Sequence, residues 1–133
     1  RKVPDRPEQN WVWSPQGIVD MHRPEQWGTV QFCGGPASSD AFTPDHSAAA
    51  RDSLHRVYYA QARFHAMYKR WSPSVTRLAE IDANVSTVAP PCLGPPRVQL
   101  TPSGWIAFQN YAALGGRPTV VSITHDSRVA TSA

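Results

Sequence analysis

Trp11, Trp13 and Trp27 lie close together in sequence, interleaved with Gln16, Asp20, His22 and, a little further on, Gln31. A pyranose ring presents apolar C–H faces edged with hydroxyls. Its natural receptor is therefore an aromatic platform rimmed by polar groups that both donate and accept. The indoles supply a platform of that kind, and the polar side chains supply its edge. Burial in a small core is the competing use of the same rings. Asp20 and Glu25, on either side of His22, are the best carboxylate candidates for glycosidase-like acid–base work. The simpler role for Glu25 is to bond nearby backbone amides and hold the loop.

Other reactive chemistries find no frame. His22 and Glu25 are spaced i, i+3, but Pro24 between them opposes the helix that would place them on one face. His55 and His65 would stand about 15 Å apart along a helix axis, too far to share an ion. There is no Cys-x-x-Cys pair and no G-x-S-x-G elbow, and Gly115-Gly116 reads as a hairpin turn rather than a phosphate cradle. No catalytic residue, metal ligand or cofactor is expected, and the chain is not expected to be an enzyme.

Cys33 and Cys92, widely spaced, suit one disulfide closing a long loop, worth about 3–4 kcal/mol in a chain-entropy treatment. Two unlinked thiols are the alternative. Asn84-Val85-Ser86 is an N-glycosylation sequon in an expected loop. Together these features point toward an extracellular protein. The net charge of +3 comes from scattered arginines with no run of like charge, so nucleic acid is not an expected partner. No apolar stretch approaches the roughly 20 residues that span a bilayer, and no membrane span is expected. The chain begins at Arg1 without a signal-type segment and reads as a processed chain or a fragment.

These residues need elements to hold them. At 133 residues the chain makes one domain, or a small domain with an arm. Hydrophobic residues at 41% and charged residues at 17% are too ordinary for a disordered chain. Residues 1–35 form an aromatic-rich segment in which Thr29–Phe32 alternates like a short strand, and 36–44 make a linker rich in Gly, Pro, Ala and Ser. Residues 45–133 form a second unit. Thr43-Pro44-Asp45 has the cap, first-turn proline and dipole-matching acid of a helix start. Leu54, Val57, Tyr58, Gln61, Phe64, Tyr68 and Trp71 then recur at helical spacing, and Arg51, Asp52, Arg56, Arg63 and Lys69 fall mostly away from them. Ser72-Pro73 stops that helix, and a short second one is expected over 74–81. After a Pro-rich loop come strands at 97–100, 105–111, 119–124 and 128–129. Turns at Thr101-Pro102-Ser103-Gly104, Gly115–Pro118 and His125–Ser127 separate them. The expected class is α+β: a long amphipathic helix packed on a small antiparallel meander.

The stretch Asn10-Trp11-Val12-Trp13-Ser14-Pro15-Gln16-Gly17, then Asp20-Met21-His22-Arg23-Pro24-Glu25-Gln26-Trp27-Gly28, then Thr29–Phe32, resembles the C-terminal end of the family 9-like carbohydrate-binding domain. That resemblance implies the last strand of a β-sandwich and glycan binding without catalysis. It also implies sugar contacts from aromatic side chains and a structural calcium whose ligands are not assigned here. The rest of such a sandwich would precede Arg1, so a partner chain or an upstream domain is expected to complete it. More loosely, residues 48–130 are similar to the globular part of type IV pilin-like proteins, without the apolar N-terminal helix of that family. The leading expectation is a non-catalytic, extracellular carbohydrate-binding protein or fragment. The alternative is a structural subunit of an extracellular filament or surface assembly, whose N-terminal arm docks into a partner chain. A small hydrolase ranks last.

Overall fold

Asp45 decides where the first helix begins. Its Oδ1 accepts from the backbone N–H of Ser47 (2.9 Å) and from the Ser47 hydroxyl (2.6 Å), and its Oδ2 pairs with Arg51. The helix α1 therefore runs Ala48–Tyr68, starting after the Pro44-Asp45 position that turn chemistry suggests. The carboxylate fixes Ser47, the residue just before the helix, and the Asp45 backbone carbonyl accepts from the first helical N–H, that of Ala48 (3.1 Å). Structural detail comes from a computed structural model, which describes Arg23, Glu25, Gln31, Phe32, Ala41, Phe42 and residues 44–88, 93–112 and 118–132.

The chain divides into two compact units, residues 1–44 and 45–133. In the first, Glu25 is exposed in a 3-10 turn and Gln31 donates to the carbonyl of Ala41 (3.3 Å). Of the expected strand Thr29–Phe32, Gln31 and Phe32 lie in no strand, and Thr29 and Val30 lie outside the described residues.

The second unit is α+β: two helices and a four-stranded antiparallel sheet. Helix α1 buries Ala50, Leu54, Val57, Ala60, Gln61 and Phe64 at steps of three and four. It ends where Lys69 turns into the left-handed region (φ 56°) and donates its N–H to the carbonyl of His65 (2.9 Å), before Ser72-Pro73 is reached. Tyr68 is consequently half exposed against Phe64, while Trp71, beyond the helix, folds back. Trp71 stacks on His65 at 4.1 Å and meets Trp105 edge-on at 6.3 Å. The next turn is locked by Gln61, whose amide donates to the carbonyl of Ser72 (2.6 Å) and accepts from its N–H (3.0 Å). Ser74 then caps α2, Val75–Ile81, by accepting from the N–H of Arg77.

The sheet is a meander of β1 (Arg97–Thr101), β2 (Gly104–Ala112), β3 (Pro118–Thr124) and β4 (Val129–Ser132), in that spatial order. Thr101 pairs with Gly104 across the Pro102-Ser103 turn. A side chain on Gly104 would meet the ring of His125 at 2.6 Å, so the residue must be glycine. Ala107 faces Ile123 and Gln109 faces Val121, so Trp105, Ala107, Gln109, Val121 and Ile123 share the inner face. Helix α1 packs against β2, β3 and α2. Leu54, Val57 and Phe64 from the helix, Leu78 from α2 and the inner sheet residues close the core. Each large side chain buried there contributes about 1.5–3 kcal/mol. Among the described residues, no helix is long and apolar enough to cross a membrane.

Candidate ligand-binding cleft

Of the residues singled out from sequence, Trp11, Trp13, Gln16, Asp20, His22, Trp27, Cys33 and Cys92 lie outside the described residues. Asn84 is described. It is exposed in the loop after α2, where its neighbour Val85 is buried in the core (4% exposed). Asp82 sets its position. The Asp82 Oδ1 accepts from the Asn84 backbone N–H (3.1 Å) and from its side-chain amide (2.9 Å). The other oxygen of the same carboxylate accepts from Arg63 of α1 (2.9 Å). This nearly buried acid ties the loop to the helix while leaving the backbone geometry of the sequon defined.

Beside Asn84 opens a cleft of about 550 Å³. That volume falls within the ~300–1,000 Å³ typical of small-molecule sites. The outer face of α1 contributes Ala49, Asp52, Ser53 and Arg56. The loop contributes Asn84, Ser86 and Val88, the segment leading into β1 contributes Leu93 and Pro96, and β2 contributes Gln109. Asp52 and Arg56 are neighbours one helical turn apart and form an ion pair (2.8 Å), so the rim carries a donor and an acceptor with no net charge. Ser86 is turned inward on its own loop, its hydroxyl bonded to the N–H and carbonyl of Val88.

Gln109 is the unusual member. It is 2% exposed on the inner face of β2, and its Nε2 donates to the carbonyl of Gly94 (2.8 Å). That bond fixes which end of the amide is which. The other end, Oε1, is buried without a hydrogen-bond partner. Leaving such an acceptor unpaired costs about 1–3 kcal/mol. Trp105 Nε1 is the other side-chain atom of this kind among the described residues, and Trp105 does not line the cleft.

The arrangement combines polar and apolar surface. It has donors, acceptors and an apolar wall of Ala49, Val88, Leu93 and Pro96. Among the described residues, no group of three or more His, Cys, Asp or Glu side chains is placed to hold a metal ion. Asp52 and Arg56 read from sequence as solvent-side charges on α1, and their i, i+4 spacing was the signal that they act as a pair. Gln109 gave a fainter one: a polar residue on the same face as Trp105 and Ala107. Comparison with family models, curated proteins and solved structures finds no match for the chain.

Proposed function

We propose that the chain is a non-catalytic, extracellular carbohydrate-binding protein and that the cleft beside Asn84 takes a neutral sugar. The observation that carries this reading is that Gln109, whose buried Oε1 has no partner, belongs to the lining of a cleft whose rim both donates and accepts. A sugar hydroxyl donates to the Asp52 oxygens and accepts from Arg56, another reaches the enclosed Gln109 Oε1 once that amide turns toward the cleft, and the sugar's C–H face lies on Val88, Leu93 and Pro96. An anion would meet the carboxylate and the amide oxygen, and a cation would meet the guanidinium. Neutrality with many hydroxyls fits best. The likeness of residues 10–32 to the end of a family 9-like carbohydrate-binding domain supports the same class, with Trp11, Trp13 and Trp27 as a further platform and Gln16, Asp20 and His22 at its edge.

A glycan array on the intact chain tests the reading, with Gln109→Met and the double variant Trp13→Ala, Trp27→Ala alongside. Binding that either variant weakens supports it. An array with no signal, from a folded protein, removes it.

A second reading, a structural subunit of an extracellular assembly, draws on the first unit. Phe32 is 94% exposed and Phe42 61% exposed, and large apolar rings in that state suit docking into a neighbouring chain. Light scattering across concentration separates the two: growth in mass that Phe32→Ser and Phe42→Ser abolish favours assembly.

A further inference from the structure

We propose that Asn84 carries an N-linked glycan and that the cleft cradles the first sugar of that glycan, so that the protein's own modification competes with free carbohydrate. This rests on the carbohydrate reading of the cleft and adds what occupies it in the secreted protein.

The geometry of the sequon comes first. Val85 is buried in the core, which fixes the backbone of the triplet, while Asn84 on one side and Ser86 on the other are exposed. Asn84 is itself part of the cleft lining. A ring bonded to its amide nitrogen therefore begins at the wall of the site, beside Val88, Pro96 and Gln109. The amide plane is already oriented, because Nδ2 donates one hydrogen to Asp82 at 2.9 Å. Asp82 is in turn held by Arg63. An unmodified amide nitrogen carries two hydrogens and a glycosylated one keeps one. The bond to Asp82 survives modification when the sugar replaces the other hydrogen.

The chemistry balances with one co-reactant, a sugar carried on a polyprenyl pyrophosphate. The Asn84 nitrogen forms a bond to C1 of the sugar as the C1–O bond to pyrophosphate breaks. The polyprenyl pyrophosphate leaves with that electron pair, and one amide proton passes to a base of the transferase. In the folded chain Val85 is buried and the Ser86 hydroxyl is bonded to Val88. Transfer therefore precedes closure of this loop.

Occupancy follows from tethering. A ligand held by a short link experiences an effective concentration of order millimolar. A cleft with weak affinity for free sugar is then filled by the attached one. A small turn of the Gln109 amide, whose Oε1 is enclosed in the free chain, lets that acceptor receive a hydroxyl, and its desolvation cost is offset.

The test compares the same chain from a host that performs N-glycosylation and from one that lacks the transferase. Intact mass, the side-chain amide resonance of Gln109 and the affinity for N,N′-diacetylchitobiose are read on both. The expected result is a mass gain mapping to the Asn84 peptide. The Gln109 signal of the glycoprotein should be displaced in the direction that the disaccharide displaces it in the unmodified chain, with disaccharide affinity about tenfold weaker or worse in the glycoprotein. Absence of a mass gain overturns the inference. So does a mass gain with the Gln109 signal unmoved and affinities equal, and in that case disaccharide binding by the unmodified chain leaves the carbohydrate reading standing. If neither preparation binds and the signal never moves, both fall. Should the unmodified chain fail to fold, the folded glycoprotein is trimmed to one sugar, which should hold the Gln109 signal, and a signal that returns to that of a Gln109 amide unmoved by added disaccharide overturns the proposal.

Discussion

Among the described residues two glutamines are buried, and they are buried to different ends. Gln61, at the α1–α2 junction, is fully enclosed and spends both ends of its amide on one residue, donating to the Ser72 carbonyl and accepting from the Ser72 N–H. Gln109, across the core on β2, is as deeply placed but spends one end, on the Gly94 carbonyl, and leaves the other without a partner. A satisfied buried amide specifies a turn. A half-satisfied one is a cost carried by the free protein, and its residue shares the lining of a cleft with Asp52, Arg56 and Asn84. The first glutamine belongs to the fold, and the second is the one we assign to a ligand.

Substitutions should separate the two roles. Gln61→Leu keeps the volume but strands a buried N–H and a buried carbonyl at Ser72, so urea denaturation should register a loss of about 3 kcal/mol. A loss below about 1 kcal/mol would mean that the junction is held by its apolar contacts instead. Gln109→Met removes an acceptor that has nothing to accept and a single bond to a partly accessible carbonyl. Its unfolding free energy should stay within about 1 kcal/mol of the parent, while sugar affinity falls about tenfold or more.

The helix start gives a smaller effect with a pH signature. The Ser47 hydroxyl, more than any other partner, holds the Asp45 carboxyl below its usual value of 3.8, and the Ser47 N–H and Arg51 act in the same sense. Partial burial opposes them. A carboxylate with a depressed folded-state pKa contributes fully above its unfolded value and ceases to contribute as pH falls through the folded one. Asp45→Asn should therefore cost about 0.5–1 kcal/mol at neutral pH. That gap should narrow as acid unfolding is followed below pH 3.8. A gap that is constant with pH would contradict the role given to the charge. Smallest of all, Lys69→Gly relieves a left-handed residue at the end of α1. It should raise the midpoint of thermal unfolding modestly, by the equivalent of about 0.5 kcal/mol.

How much of this could be read from the chain depends on whether a feature is local. The meander was legible because Pro102 and Gly104 fix a tight hairpin and because 119–124 is a β-branched run; β3 and the β1–β2 turn fall where those residues place them. Strand β2 was harder, since Ile106 and Phe108 put apolar side chains on the face opposite Trp105 and Ala107 and blur the alternation. Helix α1 was placed too early because Thr43-Pro44-Asp45 has every local mark of a cap. In the folded chain the acid reaches forward to Ser47, and the helix begins after it. Trp71 was read as the last position of a helical stripe. The turn at Lys69 ends the helix first, and tertiary contact with His65 and Trp105 places the indole.

The cleft could not be read at all, and the reason is physical. Its lining comes from α1, the loop after α2, the approach to β1 and the middle of β2, segments that meet only when the sheet and helix pack. Within each segment the residues look ordinary. Asp52 and Arg56 resemble any solvent-side pair, and Gln109 shares a face with Trp105 and Ala107 but shows its burial only once register places it opposite Val121. Asn84 alone announced itself, through the sequon, and its position at the cleft wall adds a setting that the triplet does not carry.

The most direct test is a calorimetric titration of the unmodified chain, and of its Gln109→Met variant at matched stability, with the sugar that gives the strongest array signal. Saturable binding by the parent and a Kd about tenfold or more weaker in the variant is the predicted result. Equal affinities, or no heat from either protein, would contradict the assignment of the cleft and return Gln109 to the core.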